Sequence, residues 1–188
     1  MHCTGFVLVG GRSSRMGRDK ALLPFEGRTL AGRVAGIVQE AAGTATLIGD
    51  PNRYQGLGFN VVADVVPGCG PMGGLYTALG VTHTDWNLIV ACDMPGIDAG
   101  ALGRLLAHIP TTGAGVVAPV SDSGEAEPLC AVYHRDCLVQ VRLAIQEKRF
   151  KMKDLLPQLE PCRMIAGIAP EHFANVNTPE EWSAYRQP

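Results

Sequence analysis

Gly10, Gly11 and Gly17 are interspersed with Arg12, Arg15 and Arg18 in a stretch that ends on Asp19-Lys20, directly after the apolar run Gly5-Phe6-Val7-Leu8-Val9. A strand opening into such a loop suits a polyphosphate. Glycines let backbone N–H groups come close to phosphate oxygens, and the cations offset charge that repels an attacking anion. Neither G-x-x-x-x-G-K-[ST] nor G-x-G-x-x-G can be written through the loop, which sets aside the Walker and dinucleotide readings. A second chemical position is Cys92-Asp93-Met94-Pro95, just after the apolar run Asn87–Ala91. One carboxylate at a strand end, together with phosphate oxygens, can hold a hard divalent ion such as Mg²⁺, and nucleotidyl transfer uses such an ion to screen the departing pyrophosphate. Asp64, after Val61–Ala63, can accept a hydrogen bond from a ribose hydroxyl or a base N–H. The glycine-rich run Gly68–Leu75 leads into a helix and suits either an anion or a tight turn.

Two amides, Asn175 and Asn177, fall on one side of an extended segment if that segment is a strand. Lys151 and Lys153 are candidates for holding an anionic acceptor or for a solvated helix end. The five histidines have no metal-cluster spacing, and no Ser/His/Asp or Cys/His context is present. A phosphate nucleophile, already ionised near neutrality, needs no general base.

These residues require a scaffold that gathers strand ends. Apolar runs at Phe6–Val9, Ala45–Ile48, Val61–Ala63, Asn87–Ala91, Gly115–Ala118, Leu129–Tyr133, Arg163–Ile165 and Ala174–Asn177 predict strands. Helices are expected from Leu30 to Ala41, with Thr29 and Gly43 as caps, and over Gly73–Leu79, Asp98–His108, Asp136–Glu147, Lys151–Leu156 and Pro179–Tyr185. Thr178-Pro179-Glu180-Glu181 reads as a capping box. The alternation predicts an α/β sheet with mostly parallel strands, whose carboxyl ends surround one crevice. Pro51-Asn52-Arg53 is read as loop.

With 188 residues the chain is expected to form one domain, residues 1–188. Hydrophobic residues make up 46% and charged residues 18%, as in a soluble globular protein. A net charge of −2 argues against a general nucleic-acid binder, so any cationic site must be local, and residues 12–20 supply one. Six cysteines without a C-x-x-C pair indicate neither zinc nor a disulfide framework. No apolar run reaches the roughly 20 residues of a membrane span and no basic leader is visible, so a cytoplasmic protein is expected.

The run Gly10-Gly11-Arg12-Ser13-Ser14-Arg15-Met16-Gly17-Arg18-Asp19-Lys20 resembles, nearly residue for residue, the signature G-G-x-S-x-R-M-G-x-D-K of the molybdenum cofactor guanylyltransferases. Related cytidylyltransferases have A-G-x-S-x-R-M-G-x-P-K there, so Gly10 and Asp19 favour the guanylyl branch. Cys92–Pro95 and Asn175-Val176-Asn177-Thr178-Pro179-Glu180-Glu181 resemble two further family segments, and Glu127-Pro128-Leu129-Cys130-Ala131 a fourth, on the acceptor side. The resemblance implies a three-layer α/β/α, Rossmann-like nucleotide-diphospho-sugar transferase fold. It further implies nucleotide contacts at Leu8, Val9, Gly10, Gly11, Lys20, Gly49, Asp64 and Asp93, catalytic roles for Arg15, Lys20 and Asp93, magnesium on Asp93, and acceptor contacts at Asn175 and Asn177. The implied reaction joins GMP from GTP to the terminal phosphate of molybdenum-bearing molybdopterin, releasing pyrophosphate, with transient contact to molybdenum-insertion or molybdoenzyme-maturation proteins allowed. A cytidylyltransferase of the same pterin and a sugar-phosphate nucleotidyltransferase share the sheet and the strand-end aspartate. A nucleotide-binding regulator without turnover is the reading from another class.

Overall fold

The computed structural model describes residues 2–10, 19–113, 115–121 and 124–185. Nine strands are formed among these: β1 Cys3–Leu8, β2 Pro24–Phe25, β3 Arg28–Thr29, β4 Thr46–Ile48, β5 Asn60–Val62, β6 Trp86–Ala91, β7 Val116–Pro119, β8 Cys130–His134 and β9 Cys162–Ile165. The α-helices are α1 Leu30–Ala42, α2 Pro51–Tyr54, α3 Pro71–Val81, α4 Ala99–Leu106, α5 Leu138–Gln146, α6 Met152–Leu155 and α7 Pro179–Tyr185. The main sheet has the order β5-β4-β1-β6-β8-β7-β9. β8 runs antiparallel to both of its neighbours, and every other pairing is parallel.

Strand periodicity builds the two faces. Phe6 and Leu8 enter an apolar cluster with Met72 and Leu75 of α3 and Val141 of α5, whereas Val7 and Val9 enter another with Leu30 and Val34 of α1 and Leu102 of α4. A sheet covered by helices on both faces needs such unbroken apolar strands, and β6 is buried at all of its positions. The α1 caps form as expected: the Thr29 hydroxyl accepts from Gly32 N–H at 3.1 Å, and Gly43 closes the helix at φ 79°.

Two expectations are corrected, and one pairing was not anticipated. Ala174–Asn177 is not a strand; Val176 N–H donates to Asp93 O at 3.0 Å as an isolated tie, so strand alternation does not govern its amides. Pro51-Asn52-Arg53 is not loop but the start of α2, where Asp50 Oδ1 accepts from Asn52 N–H at 2.9 Å and Pro51 takes a first-turn position that needs no N–H donor. A β2–β3 hairpin also forms, its two-residue turn of Glu26 (φ 47°) and Gly27 (φ 76°) having the positive φ values that match strand twist.

Candidate active site

Parallel register brings the carboxyl ends of four strands, β5, β4, β1 and β6, level. Val9 N–H donates to Ile48 O at 3.0 Å, Gly49 N–H to Val62 O at 2.9 Å and Cys92 N–H to Leu8 O at 3.1 Å. Leu8 and Val9 are thus buried sheet residues, while Gly10, at φ 101°, is exposed where β1 ends. Gly11 and Arg15 lie outside the described residues. Asp19 caps a single 3₁₀ turn over Lys20–Leu22 by accepting from Ala21 N–H at 3.1 Å.

That turn points Lys20 across the sheet end. Its Nζ lies 2.9 Å from Asp93 Oδ2, 2.8 Å from Val176 O and 2.8 Å from Asn177 Oδ1. Residues 20, 93 and 177 therefore meet at one ammonium. The pair is sheltered, with side-chain exposures of 15% for Lys20 and 22% for Asp93. Arg33 of α1 fixes the loop that follows Asp93, donating to Pro95 O at 2.8 Å and Ile97 O at 3.3 Å. Glu181 of α7 accepts from the Asn177 and Thr178 backbone N–H groups, and Glu181 N–H donates back to the Thr178 hydroxyl at 3.2 Å, the reciprocal bonds of a capping box.

Asn175 stands apart from Asn177: its Oδ1 is buried with no hydrogen-bond partner among the described residues, whereas Asn177 is exposed. Asp64 accepts from Val66 N–H at 3.0 Å and from the Thr77 hydroxyl at 3.1 Å, against the first turn of α3. Gly73 makes that approach possible, since a Cβ there would lie 3.0 Å from Asp64 Oδ2 and 2.8 Å from Val66 O. Gly49 is equally confined, as its Cβ would meet Val9 O at 2.6 Å and Tyr54 Cε2 at 3.0 Å. Lys153 pairs with Glu125 at 2.6 Å on the surface.

Three further groups lie beside this cluster; Cys92 and Glu127 fall in segments singled out in the sequence, and Tyr54 does not. Burial pushes the Cys92 thiol up to about 12, so it stays protonated beside Asp93. Burial likewise raises the Glu127 carboxyl, with Asp93 and Glu125 adding to the shift. Tyr54, fully buried, donates to Asp19 Oδ2 at 2.7 Å; the Asp50-Pro51 helix start was its available sequence signal.

Among the described residues no group of three or more His, Cys, Asp and Glu side chains could hold a metal ion. Among the described residues Asp93 is the one carboxylate paired with Lys20, and a hard cation held by one carboxylate completes its shell with phosphate oxygens and water. The donor set fits a divalent ion that arrives with a triphosphate. An ammonium and a carboxylate at a glycine-rich strand end can together balance charge on a reacting phosphate chain. Among the described residues no helix is long and apolar enough to cross a membrane.

The MobA-like NTP transferase domain model matches residues 5–162. The chain is 34% identical to the probable molybdenum cofactor guanylyltransferase of Bacillus subtilis (strain 168), over 96% of this chain and 93% of that protein. It is 36% identical to the molybdenum cofactor guanylyltransferase of Xanthomonas euvesicatoria pv. vesicatoria (strain 85-10), over 96% and 92%. The crystal structure of molybdopterin-guanine dinucleotide biosynthesis protein A from Archaeoglobus fulgidus superposes with a TM-score of 0.79 at 23% identity, over 96% of this chain and 95% of that one, a likeness of fold. With a family model spanning most of its length and relatives of this identity, the chain belongs to the MobA-like NTP transferase family and is a nucleotidyltransferase.

Proposed function

We propose that the enzyme transfers GMP from GTP to the terminal phosphate of molybdopterin carrying molybdenum, releasing pyrophosphate. The observation that supports this reading is the meeting of Lys20 Nζ with Asp93 Oδ2 and Asn177 Oδ1: an ammonium, a carboxylate and an amide at one point are the groups that a phosphate chain, its metal ion and an acceptor call for. The names of the relatives supply the base and the pterin.

The ionised acceptor phosphate attacks the α-phosphorus in line, the bond to the β-phosphate oxygen breaks, and pyrophosphate leaves with its electrons. Lys20 exchanges protein acceptors for phosphate oxygens and draws charge toward the leaving group, and Arg15 of the phosphate loop serves the same end. Gly10 and Gly11 present backbone to the phosphates, while Leu8, Val9, Gly49 and Asp64 border the nucleoside. Asn175 and Asn177 hold the acceptor, Asn177 from an exposed position beside Lys20. Asp93 would hold Mg²⁺, which when bound screens the α- and β-phosphates. Positioning and electrostatics then lower the barrier without a general base.

Pyrophosphate release, measured with Mg-GTP or Mg-CTP and the pterin acceptor, tests this. Lys20→Ala is expected to slow release by about 10²–10³-fold, the loss usual for one preorganised donor, with Asp93→Asn at least as severe. Equal turnover of CTP, or variants as active as the parent, would overturn it.

A further inference from the structure

Asp19 lies one residue before the lysine, and among the described residues three donors hold its carboxylate. Oδ1 accepts from Ala21 N–H at 3.1 Å, and Oδ2 accepts from Tyr54 Oη at 2.7 Å and pairs with Arg53 Nη2 at 2.8 Å. We propose that Asp19 is a positioning residue that, with Tyr54 and Arg53, clamps the carboxyl end of the phosphate loop to α2 and so sets where Lys20 stands against Asp93. This rests on the proposed role of Lys20 in the transfer.

The clamp has a fixed side and a dependent side. Tyr54 is fully buried and seated by packing: a Cβ on Gly49 would lie 3.0 Å from its Cε2, and one on Gly10 would lie 3.7 Å from its Oη. The helix that carries it is started by the Asp50 cap and Pro51, so Tyr54 holds its place without help from Asp19. Burial, and then the neighbouring Asp19 carboxylate, raise the phenol well above its ordinary range, which keeps Oη a donor. Asp19 is the dependent partner, coming from the loop side and 10% exposed once bound. Restraint thus passes from the end of β4 through α2 and Tyr54 to Asp19, and by one peptide bond to Lys20.

A lysine needs this. Its ammonium sits on a flexible four-carbon stem, and a cation contributes to a transition state in proportion to how little it must reorganise. Fixing the backbone on both sides of Lys20, through the Asp19 clamp and the 3₁₀ turn, confines the reach of that stem.

Asp19→Asn and Tyr54→Phe, both near-isosteric, test the clamp. Acylation of Lys20 in the nucleotide-free protein, read by mass spectrometry against exposed Lys148, is expected to rise about tenfold in Asp19→Asn, the equivalent of one charged hydrogen bond. A smaller rise is expected in Tyr54→Phe. The kcat for GMP transfer should fall by about 10²-fold in Asp19→Asn, as for a slightly misplaced group, with KM for GTP within about threefold. The double variant should match Asp19→Asn alone. Unchanged Lys20 acylation and kcat, with only the unfolding temperature lowered, would overturn the clamp and leave Asp19 a fold residue. If the parent enzyme transfers no GMP, the substrate reading fails by itself, and the acylation result decides the clamp.

Discussion

Gly49 is where the end of β1, the sheet and Tyr54 of α2 come together. Its amide is bonded to Val62 O, and the space a side chain would take is filled by Val9 and the Tyr54 ring. The first of those contacts is with backbone, which cannot step aside without pulling β1 from its register. Gly49→Ala is therefore expected to destabilise the protein by about 1–3 kcal/mol, the usual cost of overpacking, seen as a lower urea midpoint at an unchanged slope. The residue reads in sequence as a nucleotide contact, and in the structure it is first of all a packing requirement. Both roles fit one position, because a site at the end of a strand borrows its floor from the sheet.

Elements matter here chiefly by how they begin. The Thr29 cap starts α1, which carries Arg33 under the loop after Asp93, and the capping box of α7 holds the Asn177 backbone while that residue's side chain accepts from Lys20. Removing Glu181 leaves the Asn177 and Thr178 N–H groups to water and unties the helix from the site. Glu181→Ala should cost about 1 kcal/mol, or on the order of 2–4 °C in thermal unfolding for a protein of this size. Glu181→Gln, which retains an acceptor oxygen, should lose less. An equal loss in the two variants would argue that charge at the helix start, rather than the reciprocal bonds, carries the effect.

Over the whole molecule, burial of thiols links stability to alkaline pH. All six cysteines are free, and burial pushes Cys3 and Cys137 up to about 11 and Cys92 up to about 12, from an ordinary value of 9.0. A thiol raised on folding binds its proton more tightly in the native state. Its contribution is complete below about pH 9 and is lost as pH rises through the folded value, at about 1.4 kcal/mol per pH unit for each such group. Urea midpoints should hold steady from neutrality to pH 9 and fall from there toward pH 11. A profile that stayed flat above pH 9 would contradict the burial of these thiols.

The sequence by itself determined what is local: the strand-to-glycine-loop junction at Val9-Gly10, the Asp93 turn after β6, the Thr29 and Asp98 caps and the Thr178–Glu181 box. Each is written within a few residues, because strand period, helix period and capping are satisfied by neighbours in the chain. Tertiary structure decided the rest. It made β8 the antiparallel strand of the main sheet, kept Ala174–Asn177 out of that sheet, seated Tyr54 against Asp19 and brought Lys20 to Asp93 and Asn177. Partners 73 and 157 positions apart meet only after parallel crossovers have aligned the strand ends, and nothing in the spacing of the chain records how those ends will face one another.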